Sequence, residues 1–293
     1  MRILGYGDNN VDVNAATGLN YPGGNCVNVT VFAARAGARA AYAGVFGDDE
    51  AGALLRAAIE HEGVDTALSV IRTGPTGRSV FEVEDGERRF LSTNRGGVIR
   101  TAPLRVNPSI VAQASRSDVV HSSAYSASEA DLPALRAATG VLSFDFSSDD
   151  EYRADSYRAA VAPSIDVALF SCADLDDPET DHLLRDTAAL GPAFVIATLG
   201  PRGARAVHGD ELLHVAAPAV ATSDIMDTMG CGDAFISAFL LSLVGMRWQR
   251  GISLDRTQMN AAMNAGVRCA TAQLNVSGAF DGAFSVAATK ELR

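Results

Sequence analysis

Residues 227–239 read DTMGCGDAFISAF, and they combine features that a buried helix does not need. Gly230, Cys231 and Gly232 are small and stand directly before an acid, Asp233, which opens an apolar, helix-like run beginning at about that residue. The first amides of a helix have no internal acceptor and sit at the positive end of its dipole. Small residues there keep the amides bare, which makes a cradle for developing negative charge. An acid inside such a cradle repels an anion. It makes sense as a general base that takes the proton of a hydroxyl about to attack phosphorus. The plainer alternative is a glycine-rich turn with Asp233 as the helix N-cap.

Working outward, short apolar runs alternate with amphipathic ones. RILGYG, AYAGVFG, DVVHSS, VLSFDFS, DVALFS and FVIATLG read as strands, and NVTVFAARAG, DEAGALLRAAIEHEG and DLPALRAATG as helices. The strands are apolar throughout, which suits a sheet covered on both faces. Strand–helix alternation predicts an α/β fold with a doubly wound, mostly parallel sheet flanked by helices. TGRSVFEVEDGERRFLSTNRGG breaks the rhythm with period-two alternation and an Asp85-Gly86 turn signal, so Arg78 to Phe90 is expected as a hairpin outside the main sheet. VHGDELLHV reads as a second, smaller hairpin. With no linker, repeat or low-complexity tract, residues 1–293 are expected to form one domain.

The chain has 293 residues, a net charge of −11 and 47% hydrophobic content, enough for one large α/β unit. The charge is dispersed and no basic patch occurs, which argues against nucleic acid and anionic membranes as partners. MRILGYGDNN is too short an apolar run for a signal peptide and no segment is long enough to span a bilayer, so a cytoplasmic location is expected. Cys26, Cys172, Cys231 and Cys269 form no Cys-x-x-Cys pair and read as reduced thiols. His61, His121 and His182 lack ligand spacing and read as surface or helix-end residues. Lys290 is the only lysine. That excludes a P-loop and a protein-kinase strand lysine, so any phosphate must be handled by backbone amides, arginine or metal.

DTMGCGDAFISAFL resembles the C-terminal signature of the ribokinase-like (PfkB) carbohydrate kinases, with Cys231 for the usual alanine. GDNNVD followed by PGGNCVNVTVFAARAG resembles the family's first sugar-binding strand and its Gly-Gly-Asn helix start. YAGVFGDDEAGALLRAAIEHEGVD and VIATLGPRGA match its next two motifs, so the likeness runs in order from Arg2 to about Phe280. The resemblance implies an ATP-dependent sugar kinase that transfers the γ-phosphoryl group to a primary hydroxyl. Asp233 would be the base, and Gly230, Cys231 and Gly232 the anion hole. Asn10 and Asp12 would bind sugar hydroxyls over a floor of Gly23, Gly24 and Asn28. Thr198, Gly200, Gly203 and Asn264 would border the nucleotide. Asp227 would lie by a monovalent-cation site, and a lid from about 10–22 and 72–97 would close over the sugar.

The family's Asn-x-x-Glu, which organises Mg²⁺, is replaced by FSCADLDD. Ser171 stands in the Asn position, and Asp174 or Asp176 would serve as the acid through water. GDN-VD, a short gap, GGN-VNV and DTMG-GD together look most like the fructoselysine 6-kinase branch. For such an amine-linked sugar, Asp8 or a lid acid such as Glu82 would pair with the amine and Arg95 with the carboxylate. A kinase for another small sugar or a nucleoside stands as the alternative, as does a non-catalytic sugar-binding regulator on the same fold. Lid strands with free edges also invite a homodimer.

Overall fold

The computed structural model of the chain describes residues 1–84, 87–280 and 282–285; the Asp85-Gly86 turn signal and Lys290 lie outside the described residues. In chain order its strands are β1 (Arg2–Gly7), β2 (Asn10–Asn14), β3 (Asn20–Gly23), β4 (Arg39–Gly47), β5 (Val70–Arg72), β6 (Arg78–Glu84), β7 (Glu87–Thr93), β8 (Val119–Ser123), β9 (Val141–Asp145), β10 (Val167–Ser171), β11 (Phe194–Thr198), β12 (Ala204–His208) and β13 (Glu211–Val215). They form a nine-stranded sheet in the order β13-β12-β11-β10-β9-β8-β1-β4-β5 and a four-stranded sheet in the order β3-β2-β6-β7.

The large sheet is parallel from β5 to β11, and β11-β12-β13 close it with antiparallel pairs. Its strands are apolar because both faces are covered. Ile3, Val167 and Leu169 point into a core with Phe235, Phe239, Met259 and Met263, while Leu4, Ala168 and Phe170 point into a second core with Leu135 and Leu184. Period-two alternation within one apolar strand thus feeds two cores, as a doubly wound sheet requires.

The helix Cys231–Gly245 packs along the helix Arg256–Gln273. Their contact is close at Gly266, where a Cβ would fall 2.7 Å from the Phe235 ring. The small sheet stands apart from the large one. β6 and β7 are antiparallel with an irregularity at Val80/Phe81, and β2 joins β6 in parallel. This is the expected hairpin, extended by β7 to Thr93 and joined by the first part of the expected lid. VHGDELLHV forms the β12–β13 hairpin at the edge of the main sheet.

Candidate active site

Parallel registry brings chemistry to the carboxyl ends of the central strands, where open α/β sheets bind ligands. Asp145 ends β9, Ser171 ends β10 and Thr198 ends β11, while Asp8 follows β1. Ser171 and Thr198 are direct register partners.

The N-terminus of the helix Cys231–Gly245 faces this crevice. It starts two residues before Asp233, the expected start, because Gly230, at φ 77°, is the N-cap and turns the chain directly into it. Asp233 is therefore the third helical residue and caps nothing, which removes the N-cap alternative. The Cys231 amide turns back to Thr228 O at 3.3 Å, so the open amides are those of Gly232 and Asp233, which meet no backbone acceptor among the described residues. A Cβ on Gly232 would find nothing closer than Ser171 Oγ at 4.0 Å, so the space before these amides is clear. Burial, Asp233 and Asp227 push the Cys231 thiol up to about 12, which leaves it neutral.

Asp233 Oδ1 accepts from Asn25 Nδ2 at 2.6 Å, and Oδ2 from Asn28 Nδ2 at 2.7 Å. Burial and then the neighbouring Asp145 carboxylate raise its pKa well above the usual carboxylate range, against the pull of these two hydrogen bonds. The second acid bonds to the same amide, since Asn25 Nδ2 also donates to Asp145 Oδ2 at 2.7 Å. Burial pushes Asp145 up to about 6. Asn25 Oδ1 lies 2.7 Å from His121 Nε2. Because an amide oxygen only accepts, Nε2 carries the proton and Nδ1 accepts from Ser143 Oγ at 3.1 Å. Burial holds His121 neutral, with its pKa lowered to about 4. Residue types and spacing did not mark Asn25, His121 and Asp145 as site residues. His121 is 0% exposed rather than a surface or helix-end residue, because β8 lies between β1 and β9 in the sheet.

The residues expected to bind the sugar lie near one another. Asn10 Nδ2 donates to Asp12 Oδ1 at 2.7 Å and to Ser79 Oγ at 3.1 Å, tying β2 to the hairpin. A Cβ on Gly23 would lie 3.1 Å from Asp12 Oδ2. Gly24, at φ 110°, passes so near Asn9 that a Cβ would be 2.5 Å from the Asn9 Cα; only glycine fits there. Asn28 is 3% exposed and its Oδ1 has no hydrogen-bond partner among the described residues. Arg95 is exposed on a turn whose Gly96 backs onto Gly77 beside Asn10.

Asp8 departs from its expected role. Its carboxylate accepts from the Asn25 amide at 2.6 Å, the Cys26 amide at 3.2 Å, Ser123 Oγ at 2.8 Å and Ser126 Oγ at 3.1 Å. It supplies the side-chain cap of the helix Asn25–Arg35, whose own N-cap, Gly24, has none; three of its four bonds fall on Oδ1 and one on Oδ2. Glu82 is likewise paired, with Arg89 across the hairpin.

Two further expectations change at the expected metal acid. Asp174 is held by both guanidinium nitrogens of Arg153 at 2.7 Å, which keeps its carboxyl below the usual range, and Asp176 caps the helix Asp177–Ala188 in a capping box with Glu179. On the nucleotide side, Gly200 and Gly203 adopt φ 58° and 94° in the turn after Thr198, while Asn264 is exposed and donates to Asn260 O at 2.7 Å. Asp227 is 6% exposed and bonds the amides of Met229 and Gly278.

Comparison with known proteins agrees with this layout. The model of the pfkB family carbohydrate kinases matches residues 3–283. The fructosamine kinase FrlD of Bacillus subtilis (strain 168) is 36% identical over 268 residues, covering 91% of this chain and 92% of that protein. The fructoselysine 6-kinase of Escherichia coli (strain K12) is 30% identical over 274 residues, covering 94% and 97%. Among solved structures, ribokinase from Giardia lamblia superposes with a TM-score of 0.76 at 20% identity, over 95% of this chain and 94% of that one, which supports the fold. By sequence across nearly its whole length, the chain belongs to the pfkB family of carbohydrate kinases.

Proposed function

We propose that this sugar kinase phosphorylates a primary hydroxyl of a fructosamine such as fructoselysine, with Mg-ATP as donor. The observation that carries the reading is Asp233 held by Asn25 and Asn28 beside the open Gly232 amide. A raised pKa makes its carboxylate a better proton acceptor for an alcohol than an ordinary aspartate. Asn28 Oδ1, buried and without a partner among the described residues, accepts from a sugar hydroxyl, while Asn10, Asp12, Gly23 and Gly24 shape the floor. The hydroxyl oxygen attacks the γ-phosphorus in line, its proton passing to Asp233. The amides of Gly232 and Asp233 receive the equatorial oxygens, with Gly230 and Cys231 forming the turn that presents them. Thr198, Gly200, Gly203 and Asn264 border the nucleotide. The β3-β2-β6-β7 sheet closes as a lid and excludes the water that competes with the sugar.

Mg²⁺ comes with the nucleotide and needs few protein ligands. No group of three or more His, Cys, Asp or Glu side chains among the described residues converges on a metal position, and Asp174 is taken by Arg153. Nucleotide phosphates and water would supply most of its ligands, and its charge would offset that of the transferring group.

For the substrate, the names of the two relatives combine with the electrostatics. The charges that raise Asp145 and Asp233 are other carboxylates, a field that suits an amine-bearing sugar. Arg95, exposed on the turn after the hairpin, would meet the carboxylate of the amine's tail. The lid's outer residues Val83, Phe90 and Leu91 are 47%, 56% and 47% exposed, and we assign them to a homodimer contact. No helix among the described residues is long and apolar enough to cross a membrane; acidic composition and free thiols suit a cytoplasmic enzyme.

The test is ADP release with Mg-ATP across fructoselysine, other fructosamines, fructose, ribose and adenosine. Turnover confined to amine-linked sugars supports the assignment. Preference for a plain sugar or nucleoside keeps the kinase and sinks the substrate.

A further inference from the structure

The family resemblance puts Asp227 beside a monovalent cation, and the residues around it do not fit one. Asp227 Oδ1 accepts from the Met229 amide at 3.0 Å and Oδ2 from the Gly278 amide at 2.8 Å. The carbonyls of Met229, Gly278 and Ala279 converge on one atom, Gln273 Nε2, at 3.2, 3.0 and 2.9 Å. Gln273 is 5% exposed and is the last residue of the helix Arg256–Gln273.

Three carbonyls beside a carboxylate form an oxygen donor set that calls for a positive centre. A side-chain amide nitrogen meets that call with two protons and no net charge. Its two protons, one of them shared, reach three carbonyls that meet no other backbone donor among the described residues. To admit a cation, Gln273 must withdraw and leave its own polar group buried without partners, at a cost of several hydrogen bonds. The bonded segments also bear on the phosphate cradle. Met229 immediately precedes Gly230, and Gly230 packs on Ala279 so closely that a Cβ there would lie 3.1 Å away.

We infer that the Gln273 amide takes the structural place of a monovalent cation, fixing the approach to the anion cradle, and that this kinase works without such a cation. The inference rests on the kinase class and not on the fructosamine assignment. Its test therefore reads melting temperature and calorimetric ATP affinity first, and turnover on whichever sugar proves to be the substrate second.

The intact wild type is compared with Gln273→Glu and Gln273→Ala in potassium, sodium and tetramethylammonium buffers of equal ionic strength. The wild type is expected to keep one melting temperature and an ATP affinity within about twofold across all three buffers. Gln273→Glu preserves size and removes both donor protons. In tetramethylammonium it is expected to melt lower and bind ATP roughly tenfold more weakly, with potassium or sodium recovering both. Gln273→Ala makes the same comparison if the glutamate variant does not fold. A wild type whose melting temperature and ATP affinity rise severalfold in potassium over tetramethylammonium overturns the inference. So does either variant matching the wild type in tetramethylammonium.

Discussion

Asn25 Nδ2 lies 2.6 Å from Asp233 Oδ1. The same nitrogen reaches Asp145, and the neutral His121 fixes which end of the amide faces the two acids. The proposed base is thus held by a donor with a set orientation, in a site where burial and a like charge work against its ionised form. Asp233→Asn keeps the shape and loses the proton acceptor. Turnover should fall by about 10³-fold, within the range for a positioned general base, while ATP affinity stays within about twofold. The check is single-turnover phosphoryl transfer alongside calorimetric ATP binding; near-wild-type transfer would remove Asp233 from its role.

Asp145 has a different signature. Its folded pKa of about 6 lies above the ordinary aspartate value of 3.8, so between the two the folded chain binds a proton that the unfolded chain has released. Stability from this group falls as pH rises through that window, and the buried charge opposes folding at neutral pH. The melting temperature of Asp145→Asn minus that of wild type should therefore grow as pH rises from about 4 toward neutrality. His121, whose depressed pKa gives the opposite slope on acidification, is present in both proteins and cancels. Asp233 is raised first by burial and then by this charge, so its loss should also move the acid limb of kcat/KM to lower pH. An unmoved limb would mean that Asp145 does not tune the base.

Much of this architecture is written locally. RILGYG coincides with β1, and the alternation of residues 78–90 marks the β6–β7 hairpin. Asp233, Asn28 and Asp12 are legible because they sit in motifs of contiguous residues. Asn25, His121 and Asp145 are not, because their meeting depends on the lateral order of β8, β9 and the helix Asn25–Arg35, which no local pattern encodes. A signal was nevertheless present. DVVHSS and VLSFDFS each carry a titratable residue inside an apolar strand, and a buried polar group is the informative exception in such a strand. Asp8 misleads for a related reason, since the helix start that it caps is remote in sequence.

Asp174 offers a test of what holds the metal. Arg153, 8% exposed, spends two nitrogens on that carboxylate. Asp174→Asn should lower the melting temperature by a few degrees, because a largely buried guanidinium loses its bidentate partner and keeps only the longer pair with the exposed Asp150. On the proposed reading, in which phosphate and water supply most of the metal's ligands, the KM for Mg-ATP and the Mg²⁺ concentration for half-maximal rate should stay within about twofold. A tenfold rise in the Mg²⁺ requirement with an unchanged melting temperature would return Asp174 to the metal.

Asp8 separates a structural acid from a specificity acid. Its carboxylate receives two helix amides and two serine hydroxyls, and Asp8→Asn turns an amide NH₂ toward at least one of those donors. The loss combines a helix-dipole interaction with a buried hydrogen bond, on the order of 1–3 kcal/mol. The helix Asn25–Arg35 carries Asn25 and Asn28, so any shift at its start reaches Asp233 whatever the sugar is. Asp8→Asn should therefore melt several degrees lower and lose kcat/KM by a similar factor for fructoselysine and for any neutral sugar that is turned over. The ratio of the two kcat/KM values is the decisive quantity. If it changes tenfold against the amine-bearing sugar while the melting temperature holds, Asp8 does face the substrate, and the helix amides bond to it only until the sugar arrives.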